Sequence, residues 1–161
     1  HLDLSALAAS SPPVARWVAA RSVPKVLLAT QTRIAEAVAD PTGRLVPLTP
    51  LVSVEPRDPG DVWRTAAVLG APPVSALAAS LHLGSGRSAR AVRWSARRAL
   101  DVPLPVDDDA WAEGAEVVVR LQGADTGERP GLLAALGRVM TVAYGLRVDD
   151  PVVDWWTAAA R

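Results

Sequence analysis

The chain has no cysteine and no phenylalanine, and only one tyrosine, one lysine (Lys25) and two histidines in 161 residues. Each shortage removes a class of function. Without cysteine there is no disulfide scaffold, no thiolate metal site and no cysteine nucleophile. His1 and His82 are too few for a histidine-rich metal site, and one internal histidine cannot serve a credible Ser/His/Asp arrangement. No apolar run reaches the roughly 18 residues of a membrane span. The N-terminus lacks the basic-then-apolar order of a secretion signal. The expectation is therefore no membrane and a cytoplasmic location. No Gly-Lys-Ser/Thr occurs, which excludes a P-loop.

Half of the chain is apolar, enough for a real core, and six tryptophans supply most of its aromatic surface. Basic charge is almost all arginine, a bias that fits a GC-rich bacterial genome, so each single arginine is discounted accordingly. The sequence opens on His1 rather than Met and reads as a fragment of a longer protein: one domain, or one with an appendage. The formal net charge is zero but unevenly spread. Residues 1–105 hold 12 basic and 7 acidic side chains, net +5; residues 106–161 hold 5 and 10, net −5. Such segregation marks a nucleic-acid face beside a non-contacting part, or it is chance.

Read along its length, the chain predicts an α+β fold. A small antiparallel or mixed sheet occupies the N-terminal third and a helical part follows. LDLSALAASSPP (2–13) reads as a short helix or linker that stops at Pro12-Pro13. PKVLLAT (24–30) is a strand, and RIAEAVA (33–39) is a partner strand or a helical turn. DPTGR (40–44) is a turn, and LVSV (51–54) is the strand within a proline-rich extended stretch. Helices are expected at 61–70, 72–84, 107–123, 132–146 and 150–161, from apolar spacing with Asp, Pro and Gly at their ends. Residues 100–107 are extended and 123–131 a flexible loop. The expected parts are an N-terminal helix or linker (1–22), a recognition-like α+β part (23–106) and a helical part (107–161).

Four stretches bear on chemistry. GSGRSARAVRWSARR (84–98) packs five arginines into fifteen positions. Its Gly-x-Gly-x-x-Ala match to a dinucleotide loop is set aside, because a helix rather than a strand precedes it. Arg87, Arg90, Arg93 and Arg97 recur every three or four residues. On one helix they share a face suited to phosphates, or form an ordinary solvated face. Thr30, Gln31, Thr32 and Arg33 follow the first strand, and Gln and Arg are the side chains that pair bidentately with adenine and guanine edges. SPPV (11–14) is similar to the Asn/Asp/Ser-Pro-Pro-aromatic motif of amino-methyltransferases. Val14 cannot stack on a flipped base, so this stretch reads as linker. Asp107, Asp108 and Asp109 are explained by helix capping.

The order of segments carries a resemblance. PKVLLATQTRIAEAVADPTGRLVPLTPLVSVEP is followed by VWRTAAVLGAPPVSALAASLHLGSGRSARAVRWSARRALDVPLP and by an AYGL…WW ending. Over residues 23–157 this resembles the C-terminal specificity region of bacterial N6-adenine DNA methyltransferases of type I-like and type IIG restriction-modification systems, most closely the actinobacterial members. The chain departs from that pattern at Gly70-Ala71, where the family usually has Asn-Ser, and it lacks the catalytic motif. The resemblance implies a DNA target-recognition domain, with no catalytic residue of its own. Its expected partners are double-stranded DNA, an N-terminal methyltransferase domain that binds S-adenosylmethionine, and a nuclease or specificity subunit. The expected DNA-contacting residues are Gln31, Thr32, Arg33, Gly84, Ser85, Arg87, Arg90, Arg93 and Arg97. The alternative from a different class is a protein-interaction or structural domain.

Overall fold

A computed structural model describes residues 3–81 and 92–160, apart from the Val92 side chain. The architecture is α+β. The N-terminal part holds a three-stranded antiparallel sheet in the order β3-β1-β4, built from β1 (Lys25–Ala29), β3 (Ala37–Asp40) and β4 (Leu51–Val54). The segment expected as a strand over 33–39 is strand only from Ala37. Ahead of it, Ile34 and Ala35 are buried and the Ala35 amide donates to the buried Ser75 hydroxyl (3.0 Å), which holds the chain in a bend.

In β1, Val26 and Leu28 point into the main core, together with their partners Ala39, Val54 and Ala37. Alternation along the strand places Lys25 and Leu27 on the opposite face. Lys25 faces Asp40 across the pairing, and their side chains meet at 2.6 Å with 0% and 3% exposure. The turn after Asp40 closes over this pair. Arg44 and Leu45 donate backbone N–H groups to its carboxylate at 3.0 and 2.8 Å. Gly43 makes that turn possible. It has φ +67°, and a Cβ there would lie 2.7 Å from the Ser22–Val23 backbone.

A helical layer covers the core face. It consists of α3 (Val62–Leu69), entered through a 3-10 turn at Pro59–Asp61, then α4 (Pro72–Ser80), α6 (Asp108–Gly123), α7 (Arg129–Ala143) and α8 (Pro151–Ala159). Asp107 and Asp150 cap α6 and α8 by accepting from Ala110 and Val152. α6 and α7 approach closely where Gly114 faces the fully buried Met140. Trp156 of α8 is buried against Gly137, whereas Trp155 is exposed. The extended segment 101–107 is held by the Tyr144 hydroxyl, which donates to the Pro103 carbonyl at 2.7 Å.

Two proline expectations are overturned. Pro12-Pro13 does not sit in a linker. After α1 (Leu4–Ser10), these prolines open a second helix, α2 (Pro12–Ala19). Pro130 likewise stands in the first turn of α7, within the stretch expected as loop. In both cases proline occupies the first helical turn, where its missing N–H has no intrahelical partner to lose. No helix among the described residues is long and apolar enough to cross a membrane.

One edge of the sheet is closed by a side chain. Gln122, at the end of α6, accepts from the Ala39 amide (3.0 Å) and donates to the Ala39 carbonyl (2.8 Å). Its amide group thus pairs the outward backbone groups of β3 at Ala39. Gln122→Ala is expected to cost about 1–3 kcal/mol, from two lost hydrogen bonds at a buried backbone position. The shift of the urea midpoint measures it, and an unchanged midpoint contradicts this role.

Candidate nucleic-acid interface

Beyond Ala29 the first strand changes neighbour. Thr30 donates its N–H to the Pro50 carbonyl (3.0 Å), but proline has no N–H to return. The Thr30 carbonyl accepts instead from Trp94 N–H at 3.1 Å. From there a second, two-stranded antiparallel sheet continues, β2 (Gln31–Thr32) with β5 (Val92–Arg93). Gln31 lies opposite Arg93, and Thr32 opposite Val92. Since the Thr30–Trp94 position carries the ladder bond, alternation makes Gln31–Arg93 the non-hydrogen-bonded pair. In such a pair the side chains stand closest, about 4.5–5.5 Å between Cβ atoms.

The ribbon is anchored from both strands. Ile34 and Ala35 are buried just after β2, and Trp94 is buried just after β5. Ser95 then caps α5 (Ala96–Leu100) by accepting from the Arg98 amide at 3.3 Å. Ala99 is buried, leaving Arg97 and Arg98 exposed, and the Arg98 guanidinium donates to the Arg93 carbonyl at 3.2 Å.

This placement corrects the expectation of arginines on one helix face. Arg93 lies on a strand and Arg97 on a separate five-residue helix. A helix cannot run through Trp94, because that residue's N–H is committed to Thr30 and Ser95 starts a new helix. Gln31, Thr32, Arg33 and Arg93 come together nonetheless, with Arg97 following on α5. Gly84, Ser85, Arg87 and Arg90 lie outside the described residues. The spacing argument, built on steps of three and four, leaves out Arg98; the structure adds it.

Gln31 and Arg33 are exposed. Thr32 is half-buried and its hydroxyl donates to the Ile34 carbonyl, so its oxygen is left only as an acceptor. The acidic C-terminal third does not neutralise this surface through Arg33 or Arg97. Among the described residues the ion pairs are Lys25–Asp40, Arg64–Asp108 and Arg147–Asp149. Arg64 also stacks over Trp111, 4.2 Å from the ring centroid, and Trp111 Nε1 donates to the Arg64 carbonyl. Asp107 and Asp108 therefore serve as cap and ion-pair partner. Among the described residues, no three His, Asp or Glu side chains gather as a metal site.

No family model, curated protein or solved structure matches this chain.

Proposed function

We propose that this chain is a DNA target-recognition domain belonging to a site-specific adenine-N6 DNA methyltransferase. The observation that carries the DNA reading is the β2–β5 ribbon. It sets an exposed glutamine directly opposite an arginine, with Arg33, Arg97 and Arg98 beside them. A two-stranded ribbon fits the major groove, where Gln pairs with adenine and Arg with guanine, while flanking arginines meet phosphates. The net +5 of residues 1–105 agrees with this. The methyltransferase assignment rests on the family resemblance.

The residues present do not fit S-adenosylmethionine. Ser11-Pro12-Pro13-Val14, their nearest approach to a methyltransferase motif, opens a helix and has no stacking aromatic. In this reading the methyl donor is bound by a domain outside residues 1–161.

Fluorescence anisotropy with duplex DNA over a salt series tests the proposal. Binding should weaken as salt rises. The Arg33→Ala/Arg97→Ala double variant should lower the slope of log K against log salt by about 2, one per lost phosphate contact. Gln31→Ala should leave the slope unchanged and relax sequence preference. Absence of salt-dependent binding by the wild-type chain sinks the reading.

A second reading, a protein-interaction domain, is favoured by one observation. Leu100, Leu104 and Val106 are 79, 65 and 79% exposed, and Leu146 and Val148 add apolar surface from the α7–α8 loop. Val106 touches that loop at Gly145, so the two segments are contiguous. Retained DNA binding by Leu104→Asp/Val106→Asp, with loss of a co-purifying protein, would favour it for this end of the molecule.

A further inference from the structure

We infer that two hydroxyls, those of Thr32 and Ser75, position the recognition segment 31–33 by clamping the Ile34–Ala35 peptide from both sides, a role that rests on the DNA reading of that segment. The pairing of β1 with β3 closes with the bond from the Ala29 N–H to the Glu36 carbonyl, at 3.0 Å. Residues 30–35 connect the two strands, and Gln31 and Arg33 are exposed on this connection. Exposure alternates along it, since Thr32 is half-buried and Ile34 is buried. Thr32 therefore lies on the inner side, and its hydroxyl donates to the Ile34 carbonyl. The N–H of that same peptide, on Ala35, donates to Ser75 Oγ at 3.0 Å. Both polar groups of one buried peptide are thus held by side chains. A hydroxyl can give or take a proton, so one serves each end.

Ser75 ties this peptide to the helical layer. It is fully buried in α4, and α4 packs against α7, α8 and β5. One helix thus holds the chain just after β2 through Ser75 and supports β5 by packing. Pairing between β2 and β5 sets the internal geometry of the ribbon. The clamp sets how the ribbon is carried by the body of the domain. Base-edge contacts depend on that placement, because bidentate hydrogen bonds are lost when the side chain is displaced by a fraction of an ångström. Phosphate contacts by long arginines tolerate such a displacement and carry no sequence information. Releasing the clamp therefore separates the two kinds of contact: sequence preference falls while electrostatic binding remains.

Two readouts on the full chain separate the clamp from the DNA reading. The first is amide hydrogen exchange at Ala35 by NMR, without DNA. Ser75→Ala and Thr32→Val should each speed it about tenfold, whereas Thr32→Ser, which keeps the hydroxyl, should not. The second is sequence preference. A preferred duplex is selected from a library with a randomised core, and anisotropy compares it with a scrambled duplex. Ser75→Ala should lower the preference about tenfold and leave the salt slope unchanged. Thr32→Val should lower the preference likewise, and Thr32→Ser should keep it. Gln122→Ala, weakened at the β3 edge instead, should keep both the Ala35 exchange rate and the preference, which separates positioning from loss of stability. Circular dichroism and urea midpoints identify any variant that fails to fold. If Ser75→Ala does, the comparison of Thr32→Val with Thr32→Ser carries the test. Unchanged Ala35 exchange in the folded variants overturns the clamp. Faster exchange with preference intact overturns the positioning role and leaves the DNA reading standing. A wild type without salt-dependent binding, or without a preferred duplex, overturns the DNA reading and this role with it.

Discussion

Replacing Asp40 by alanine is expected to lower the stability of the fold by about 3–5 kcal/mol, the cost of leaving one half of a buried ion pair behind. Stability for a domain of this kind is about 5–15 kcal/mol in total, so the loss is a substantial share of the whole. Lys25 is fully buried, and its ammonium contacts the Asp40 carboxylate at 2.6 Å and the Val23 carbonyl at 3.2 Å. The same carboxylate accepts from the Arg44 and Leu45 amides and from the Thr42 hydroxyl. Alanine strands all of these donors. Asp40→Asn keeps the shape and part of the acceptor capacity, and should fall between. Urea unfolding of the three proteins gives the order.

Acid titration adds an independent readout. Burial pushes the Asp40 carboxyl upward. The Lys25 ammonium and the Leu45 and Arg44 amides outweigh it, so the carboxyl lies below its ordinary value of 3.8. The unfolded chain then takes up this proton at a higher pH than the folded one. The stabilisation is complete above the unfolded value and is lost as pH falls through the folded one. The gap in stability between wild type and Asp40→Asn should therefore narrow below about pH 4. A gap constant down to pH 2 would show that the pair contributes through shape alone.

Gly114→Val is expected to cost about 3 kcal/mol, or more, through overpacking between α6 and α7. A Cβ at residue 114 would lie 2.3 Å from the Met140 sulfur and 3.2 Å from its Cγ, with the Ala67 Cβ at 3.7 Å. A methionine chain is flexible, but this one is fully buried, so it can yield only by displacing other packed side chains. Better helix propensity at a former glycine returns at most about 1 kcal/mol. Met140→Ala alone should cost about 2–5 kcal/mol by opening a cavity. The double variant should be clearly more stable than the sum of the two, because valine fills the space that alanine vacates. Additivity within about 0.5 kcal/mol would refute the contact.

How much of this was legible depends on how local each signal is. β1, β4 and the helices α3, α6 and α8 could be read directly, because apolar spacing and their own Pro, Asp or Gly residues mark them. The start of α7 was hidden, since Gly123 to Gly131 looks like loop until Pro130 is seen to occupy a first turn. The Lys25–Asp40 pair is legible only as a strand and a turn; that the two meet follows from register. The candidate interface was half legible. Polar residues at the end of β1 stand out in sequence, but their pairing with Arg93 spans a long stretch of chain, and two-residue strands have no period to detect. The even spacing of arginines even argued for a helix there. Gln122 pairing with the β3 edge at Ala39 had no sequence signal, because a side chain stands there in place of backbone.

The change of neighbour at Thr30 has a wider meaning. With an amide hydrogen at residue 50, β4 could bond the Thr30 carbonyl itself and Trp94 would have no acceptor there. One absent hydrogen atom, on a residue far along the chain from Arg93, therefore marks where the three-stranded sheet ends and the β2–β5 ribbon begins. The two meet at one residue, Thr30, whose N–H bonds the Pro50 carbonyl while its own carbonyl accepts from Trp94, so the strand that carries Gln31 is tied to Pro50 on one side and to the Arg93 strand on the other.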